Sequence, residues 1–253
     1  MMLPKFLLLL ALLCGTAAWA DEMANPIHAQ LVPKRYTTLS AEIAGRLERL
    51  TVQEGARFKE GQTLASIDCA LQRSLIDEAR ATLSAAEKTR SVQKRLVQLN
   101  SGGVLEAEVA AAEAEKARAK LNSSQIVVSK CTLLAPFSGR VVEQKVREHQ
   151  YVQAGQALLD ILDDSALEVE FILPSQALAV LRVGEQFQVN VGETGKHYLA
   201  RIVRIGAKVD SVSHTIKVVG ELHNPSLELI AGMSGLVTLV PPKSDHAIKT
   251  VEP

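Results

Sequence analysis

From Cys69 to about Leu99 the apolar residues fall mostly at three- and four-residue spacing: Ile76, Ala79, Leu83, Ala86 and Val97, with Gln93 in the same register. Lys, Arg, Glu and Gln fill the positions between, and no glycine or proline interrupts, so the pattern predicts a long amphipathic helix. Asn100-Ser101-Gly102-Gly103 breaks it. A second helical pattern runs from about Leu105 to Lys130, with Ala110, Ala114, Ala117, Leu121, Ser124 and Val128 as its seam. Two helices on a short Gly-containing loop make an antiparallel hairpin, each arm roughly 40–45 Å long at 1.5 Å per residue. A seam of small residues allows close approach but buries little area, so the hairpin should be solvated and weakly self-sufficient.

On either side of this insertion the chain says nearly the same thing twice. Gly45-Arg46-Leu47, Val52, Glu54, Gly61-Gln62, Leu64 and Ile67 return 94 positions later as Gly139-Arg140-Val141, Val146, Glu148, Gly155-Gln156, Leu158 and Ile161, with eight of 23 aligned pairs identical and no gap. An internal repeat of short apolar alternations and Gly turns predicts a pseudo-symmetric β unit whose halves have been separated. Lys34 to Ser40 read as an extended strand, and Pro26 and Pro33 deny residues 21–40 a long helix. Beyond the second copy, Leu167-Val169-Phe171, Phe187-Val189-Val191, Ile202-Val203-Ile205, Ile216-Val218 and Leu236-Val237-Leu239 are separated by turn chemistry, the signature of a small sandwich or barrel. A short helix is expected at Ser175–Leu181, after Pro174, and a turn at Asp163-Asp164. Pro241-Pro242 open a polar tail.

Hydrophobic residues make up 47% of the 253, but aromatics only 4%, which suits Ala-seamed helices and small β modules better than one large core. The 28 basic and 28 acidic residues cancel, so nothing favours a nucleic-acid surface. At the N-terminus Lys5, the apolar Phe6 to Leu13 and Ala18-Trp19-Ala20 before Asp21 have the order of a cleavable signal peptide; a retained anchor is the alternative, although the stretch falls short of the ~20 residues that span a bilayer. Cys14 reads as a signal-peptide hydrophobe, since Leu13 stands where lipoprotein processing wants a small residue. Cys69 and Cys131 remain, in an oxidising compartment. The six histidines are scattered, and no HExxH, CxxC or Gly-rich phosphate loop occurs, so neither a catalytic set, a metal site nor a cofactor is expected.

The two copies, and Leu133-Leu134-Ala135-Pro136-Phe137-Ser138-Gly139-Arg140-Val141 in particular, resemble the half-motifs of a biotinyl/lipoyl domain. Split by a helical hairpin and followed by a β-barrel, they resemble the periplasmic adaptor (membrane-fusion, HlyD-type) subunits of tripartite efflux pumps. Val209-Asp210-Ser211-Val212-Ser213-His214-Thr215-Ile216-Lys217-Val218 resembles the family's VD..TRTV.V strand-turn-strand, and Gly232-Met233-Ser234-Gly235-Leu236-Val237 its closing PGM...V strand. The resemblance covers about residues 40–240. It implies a mainly β fold with an α-helical hairpin: a signal peptide (1–20), an extended segment (21–40), a split lipoyl-like domain (41–68 and 131–163) interrupted by the antiparallel coiled-coil hairpin (69–130), a small β-barrel domain (164–241) and a tail (242–253), elongated as a whole.

The function implied is that of a non-enzymatic, oligomeric scaffold in the periplasm, between an inner-membrane transporter and an outer-membrane channel of the TolC type. A transporter of the resistance-nodulation-division (RND) type is preferred, with an ABC exporter or type 1 secretion system as the alternative. At the hairpin tip the family's Arg-x3-Leu-x6-Ser signature is matched by Arg95 and Leu99 but meets Glu106 in place of serine, a poorer N-cap though welcome in a first turn; with Gly102 and Gly103 these are the expected channel contacts. Cys69 opens the first helix and Cys131 closes the second, so the returning hairpin brings both to its base, where a disulfide is expected and two buried free thiols are the alternative. A carrier domain, the remote reading, needs a lysine on the tight turn between the halves, where this chain has Ile67-Asp68-Cys69-Ala70. Family members usually add a membrane-proximal β domain, which implies a minimal adaptor leaning on a neighbouring one.

Overall fold

The computed structural model describes residues 26–223 and 228–239; the expected signal peptide and tail lie outside them. Strand β1 (Ile27–Pro33) belongs to a barrel, and β2 (Tyr36–Ser40), β3 (Gly45–Leu50), β4 (Arg57–Phe58) and β5 (Thr63–Ile67) to the first half of a sandwich. Helices α1 (Ala70–Gln98) and α2 (Val104–Ser129) follow. The chain returns through β6 (Thr132–Leu134), β7 (Gly139–Gln144), β8 (Tyr151–Val152) and β9 (Ala157–Leu162), and ends in β10 (Leu167–Pro174), β11 (Gln186–Val191), β12 (Lys196–Ile205), β13 (Thr215–Leu222) and β14 (Ser234–Leu239). It divides into two compact units, one holding the sandwich and hairpin and the other the barrel.

The sandwich is two four-stranded sheets, ordered β2-β9-β7-β4 and β6-β5-β3-β8. Shifting every number by 94 turns one order into the other, so the sequence repeat is a pseudo-twofold axis in space. The core obeys it too: Ala41/Ala135, Leu47/Val141, Val52/Val146, Phe58/Val152, Leu64/Leu158, Ala65/Leu159 and Ile67/Ile161 are all buried in one cluster. Backbone bonds are exchanged reciprocally. The Ala41 N–H donates to the Gln156 carbonyl and Ala135 to Gln62, both at 2.9 Å; Gly61 donates to Ala135 and Gly155 to Ala41; Gly55 donates to Val141 and His149 to Leu47. Even the repeated glutamates match, since Glu54 accepts the Gln144 N–H and Glu148 the Leu50 N–H. Neither half can satisfy its own loop groups without the other.

Two departures from the symmetry carry strain or crowding. Gly55 adopts φ +77°, but its twin is His149 at φ +67°, a region where a side chain costs about 1–2 kcal/mol. Gly45 and Gly139 also differ: a Cβ on Gly45 would press on the Cγ2 methyl of Ile67, a side chain, whereas one on Gly139 would overlap the backbone carbonyl of Leu162. On the outer face of β9, Asp160 is buried and accepts from the Thr38 hydroxyl at 2.6 Å and the Tyr36 hydroxyl at 3.0 Å, with the Lys145 ammonium at 2.9 Å. Where a turn was expected, Asp163-Asp164 forms a polar clasp ahead of a bend at Ser165: Asp163 takes Arg35, which stacks on Phe137, and Asp164 takes Arg57 and Arg140.

The barrel closes in the order β1-β10-β13-β12-β11-β14. The barrel was expected within 164–241, but its closing strand is Ile27–Pro33, paired with β14 from Ile27↔Val237 to Gln30↔Ser234. Phe171 and Phe187 meet edge to face inside, 5.1 Å apart, and Gly220 leaves the space the Phe187 ring occupies. The helix expected at Ser175–Leu181 is a 3₁₀ turn over Ser175–Ala179; Val180 and Leu181 are drawn back by bonds to the Ala177 carbonyl.

Urea denaturation should separate the two departures from symmetry. His149→Gly is expected to stabilise by roughly 0.5–1 kcal/mol, relieved strain outweighing the entropy of a freer unfolded chain. Gly139→Ala should cost about 1–3 kcal/mol because backbone must move, and Gly45→Ala less.

The Asp160 cluster sets a pH window. Its carboxyl is held below the ordinary range by the Thr38 hydroxyl first, with Lys145 and Tyr36 adding and burial opposing. Lys145 is held above its ordinary value, chiefly by Asp160 and then by Glu143. A carboxyl depressed on folding stabilises above its unfolded pKa near ~3.9 and loses that contribution as pH falls through its folded value. An ammonium raised on folding stabilises below ~10.4 and loses that as pH climbs through its folded value. The pair should therefore act fully between about pH 4 and 10. Asp160→Asn should give a shallower acid limb in a plot of urea midpoint against pH; an unchanged limb would count against this account.

Candidate docking site: the helical hairpin and its base

The two helices meet along the seam that their spacing defines. Ala79, Ala110, Ala114 and Ala117 are buried, and Ile76, Leu83, Ala86, Gln93, Val97, Leu121, Ser124 and Val128 half-buried. Alanines pack closely but remove little apolar area from water, so adhesion between the helices is thin. One exposed ion pair, Arg118 with Glu87, crosses the seam, and such pairs contribute about 0.2–1 kcal/mol.

At the tip, α1 ends in a capped turn. The Ser101 N–H reaches the Leu96 carbonyl at 2.9 Å and the Asn100 N–H the Val97 carbonyl at 3.0 Å, with Asn100 at φ +54°. This satisfies carbonyls that would otherwise be orphaned. A Cβ on Gly102 would stand 2.8 Å from the Leu96 Cβ and close to the Leu96 backbone, so crowding sets that glycine, whereas one on Gly103 would meet only the exposed Glu106 carboxylate, which can swing aside. Gly103 is the N-cap of α2 and Glu106 lies in its first turn, where a negative charge suits the helix end. Glu106 is thus no cap residue, because the helix starts at Val104, ahead of it. Arg95, Leu99, Gly102, Gly103 and Glu106 are all exposed and gathered at this end. So are two residues that sequence reasoning did not single out, Val104 at 63% and Leu105 at 70% exposure, beside Leu99 at 56%. They break the amphipathic rule, and that is the signal that could have found them. Thr89 and Gln93 of α1 and Leu105, Glu106 and Val109 of α2 line an open groove just behind.

At the base, the helices spring from adjacent ends of paired strands, β5 with β6 in the register Ser66↔Thr132 and Ala65↔Leu133. The Ile67 N–H donates to the Cys131 carbonyl at 2.8 Å. Cys69 and Cys131 are buried and joined by a disulfide, their Cα atoms 6.2 Å apart. Asp68 accepts the Ala70 N–H, the main cause of its depressed pKa, with Arg46 adding. Lys130 pairs with Glu42 across the junction. The tight turn that would present a carrier lysine is replaced here by two helices. Among the described residues, no group of three or more His, Cys, Asp or Glu converges as a metal site, and no helix is long and apolar enough to cross a membrane.

The family model described as RND MFP, barrel-sandwich hybrid domain matches residues 35–164, and that of a CusB-like β-barrel domain matches residues 168–243. A Haemophilus influenzae protein without an assigned role is 28% identical over 189 residues, 74% of this chain and 49% of its own length. The antibiotic efflux pump periplasmic linker protein ArpA of Pseudomonas putida is 30% identical over 122 residues, 48% of this chain and 33% of its own. The chain thus spans about half the length of the first relative and a third of the second. Among solved structures, a MacA–MexA chimera carrying the Pseudomonas aeruginosa MexA α-hairpin shares the fold, with TM-score 0.75 at 20% identity over 84% of this chain and 78% of the other.

Replacing Cys69 and Cys131 together by serine should cost about 4 kcal/mol, the chain-entropy value for a loop of this length. Amide exchange should quicken first near the hairpin base. A non-reducing peptide map of the full chain purified under oxidising conditions should recover the linked pair; free thiols at both positions would refute it.

Proposed function

The chain belongs to the RND membrane-fusion-protein family, and from that premise we propose that it is a periplasmic adaptor, a non-enzymatic oligomeric scaffold linking an inner-membrane RND exporter to an outer-membrane channel of the TolC type. The observation that carries the reading is the exposed apolar hairpin tip, with Leu99, Val104 and Leu105 at one end and a disulfide at the other. Burying such residues against a partner is favourable, and a mount fixed at its base loses less freedom on docking. On this reading Arg95, Leu99, Gly102, Gly103 and Glu106 meet the channel. The chain is exported by residues 1–20 and several copies enclose a conduit.

Crosslinking affinity capture of the tagged full chain from cells that express it tests the reading. It should recover an inner-membrane RND transporter and an outer-membrane channel; recovering a cytosolic carboxylase would overturn it. Leu99→Asp should reduce channel recovery about tenfold or more, the loss expected for an apolar anchor, while leaving transporter recovery unchanged.

A further inference from the structure

Behind the tip the hairpin is hollowed on one flank. Ala86, Thr89 and Gln93 follow along that side of α1 at three- and four-residue spacing, and Glu106, Val109 and Glu113 along the facing side of α2. Ala110 is buried and Ala86 half-buried at this level, and two methyl side chains leave room that larger seam residues would fill. The groove holds about 420 Å³, within the ~300–1,000 Å³ of small-molecule sites. Toward the base the next positions on the same flank are Thr82 and Lys116. The apolar lining therefore ends after about two turns, too short for a docked helix and long enough for a small molecule.

The chemistry of the groove is one-sided. Leu105, Val109 and the alanines supply apolar surface, and the charged residues that line it are Glu106 and Glu113. Residues 104–115 of α2 carry four glutamates and no base. The bases on the matching stretch of α1, Lys88, Arg90, Lys94 and Arg95, stand about 65° or more round the helix from the mean direction of Ala86, Thr89 and Gln93. Lys116 reaches Glu113 at 3.3 Å from the inner end, whereas Glu106 has no ion-pair partner among the described residues. The Thr89 hydroxyl donates to the Ala85 carbonyl, which leaves the Gln93 amide as the neutral polar group of that wall.

We propose that this groove binds a small amphipathic cation, a molecule with one positive centre on an apolar body. The body lies against Leu105, Val109 and Ala86, and the positive centre sits between the two carboxylates. Glu106 and Glu113 are two turns apart, about 10 Å along α2, so a charge held midway is attracted by both. An anion of the same shape is repelled. Both helices wall the groove, so the bound molecule covers apolar surface that the thin seam leaves in water. A ligand held only by the folded hairpin also stabilises it. Nothing in this contact requires a channel, a transporter or a second copy.

Two probes of one shape and opposite charge, tetraphenylphosphonium and tetraphenylborate, test the site by titration calorimetry on the full chain. The phosphonium should bind and the borate should not. Glu106→Gln with Glu113→Gln should weaken the phosphonium about fivefold. Thr89→Trp, which plugs the groove from an exposed position, should remove binding while circular dichroism shows the helices intact. With the phosphonium present, amide exchange should slow in both helices around the groove. Equal binding of the two ions, no binding of the phosphonium, or binding that survives both the charge removal and the plug would overturn the site. Each of these results leaves the adaptor reading to its own capture experiment.

Discussion

Each half of the repeat supplies the hydrogen bonds that the other half lacks. The Ala41–Gln156 and Ala135–Gln62 pairs, the Gly61–Ala135 and Gly155–Ala41 pairs and the Glu54 and Glu148 caps are one arrangement applied twice. Buried backbone groups must find partners, and here those partners lie in the opposite copy, about a third of the chain away. Everything else in this unit follows. The two sheets share one core of paired positions, and the ends of β5 and β6 are held side by side with a gap in the chain between them.

That gap is where the hairpin stands. Its seam is alanine-rich and its cross-seam ion pair exposed, so its direction is set at the base, by strand pairing, by the disulfide and by Lys130–Glu42. A long lever with weak internal adhesion on a rigid base keeps its apolar tip in water. A globular domain would bury such residues, and their exposure is what the proposed docking rests on.

The features legible in the sequence were those with a local or self-referential signal. The α1 and α2 seams could be read residue by residue, because helical periodicity is a property of one segment. The repeat was legible because the chain serves as its own comparison. Closure of the barrel by Ile27–Pro33 was not, since β pairing over about two hundred residues leaves no local trace. Nor was the left-handed turn at His149: the repeat register sets it opposite Gly55, but a histidine does not itself demand a positive φ. At the tip, Asn100 and the two glycines read as a helix break, which they are. For Asn100 the reason lies in a carbonyl bond and for Gly102 in a crowded Cβ, which spacing does not reveal. Ser175–Ala179 read as a helix because its composition permits one; five residues are too few to continue past a single tight turn.

The insertion also bears on how the sandwich can assemble. Pairing two halves 94 positions apart means closing a long loop before any long-range bond rewards it, a condition that slows folding. The hairpin changes the distance that matters. Helices form within about a microsecond, and their contacts are local along the returning chain. Once α1 lies against α2, Ile67 and Thr132 stand side by side whether or not any strand has formed. The segment that divides the repeat in sequence thus reunites it in space, and with the helices paired the loop left to close between the two copies is that of a short turn.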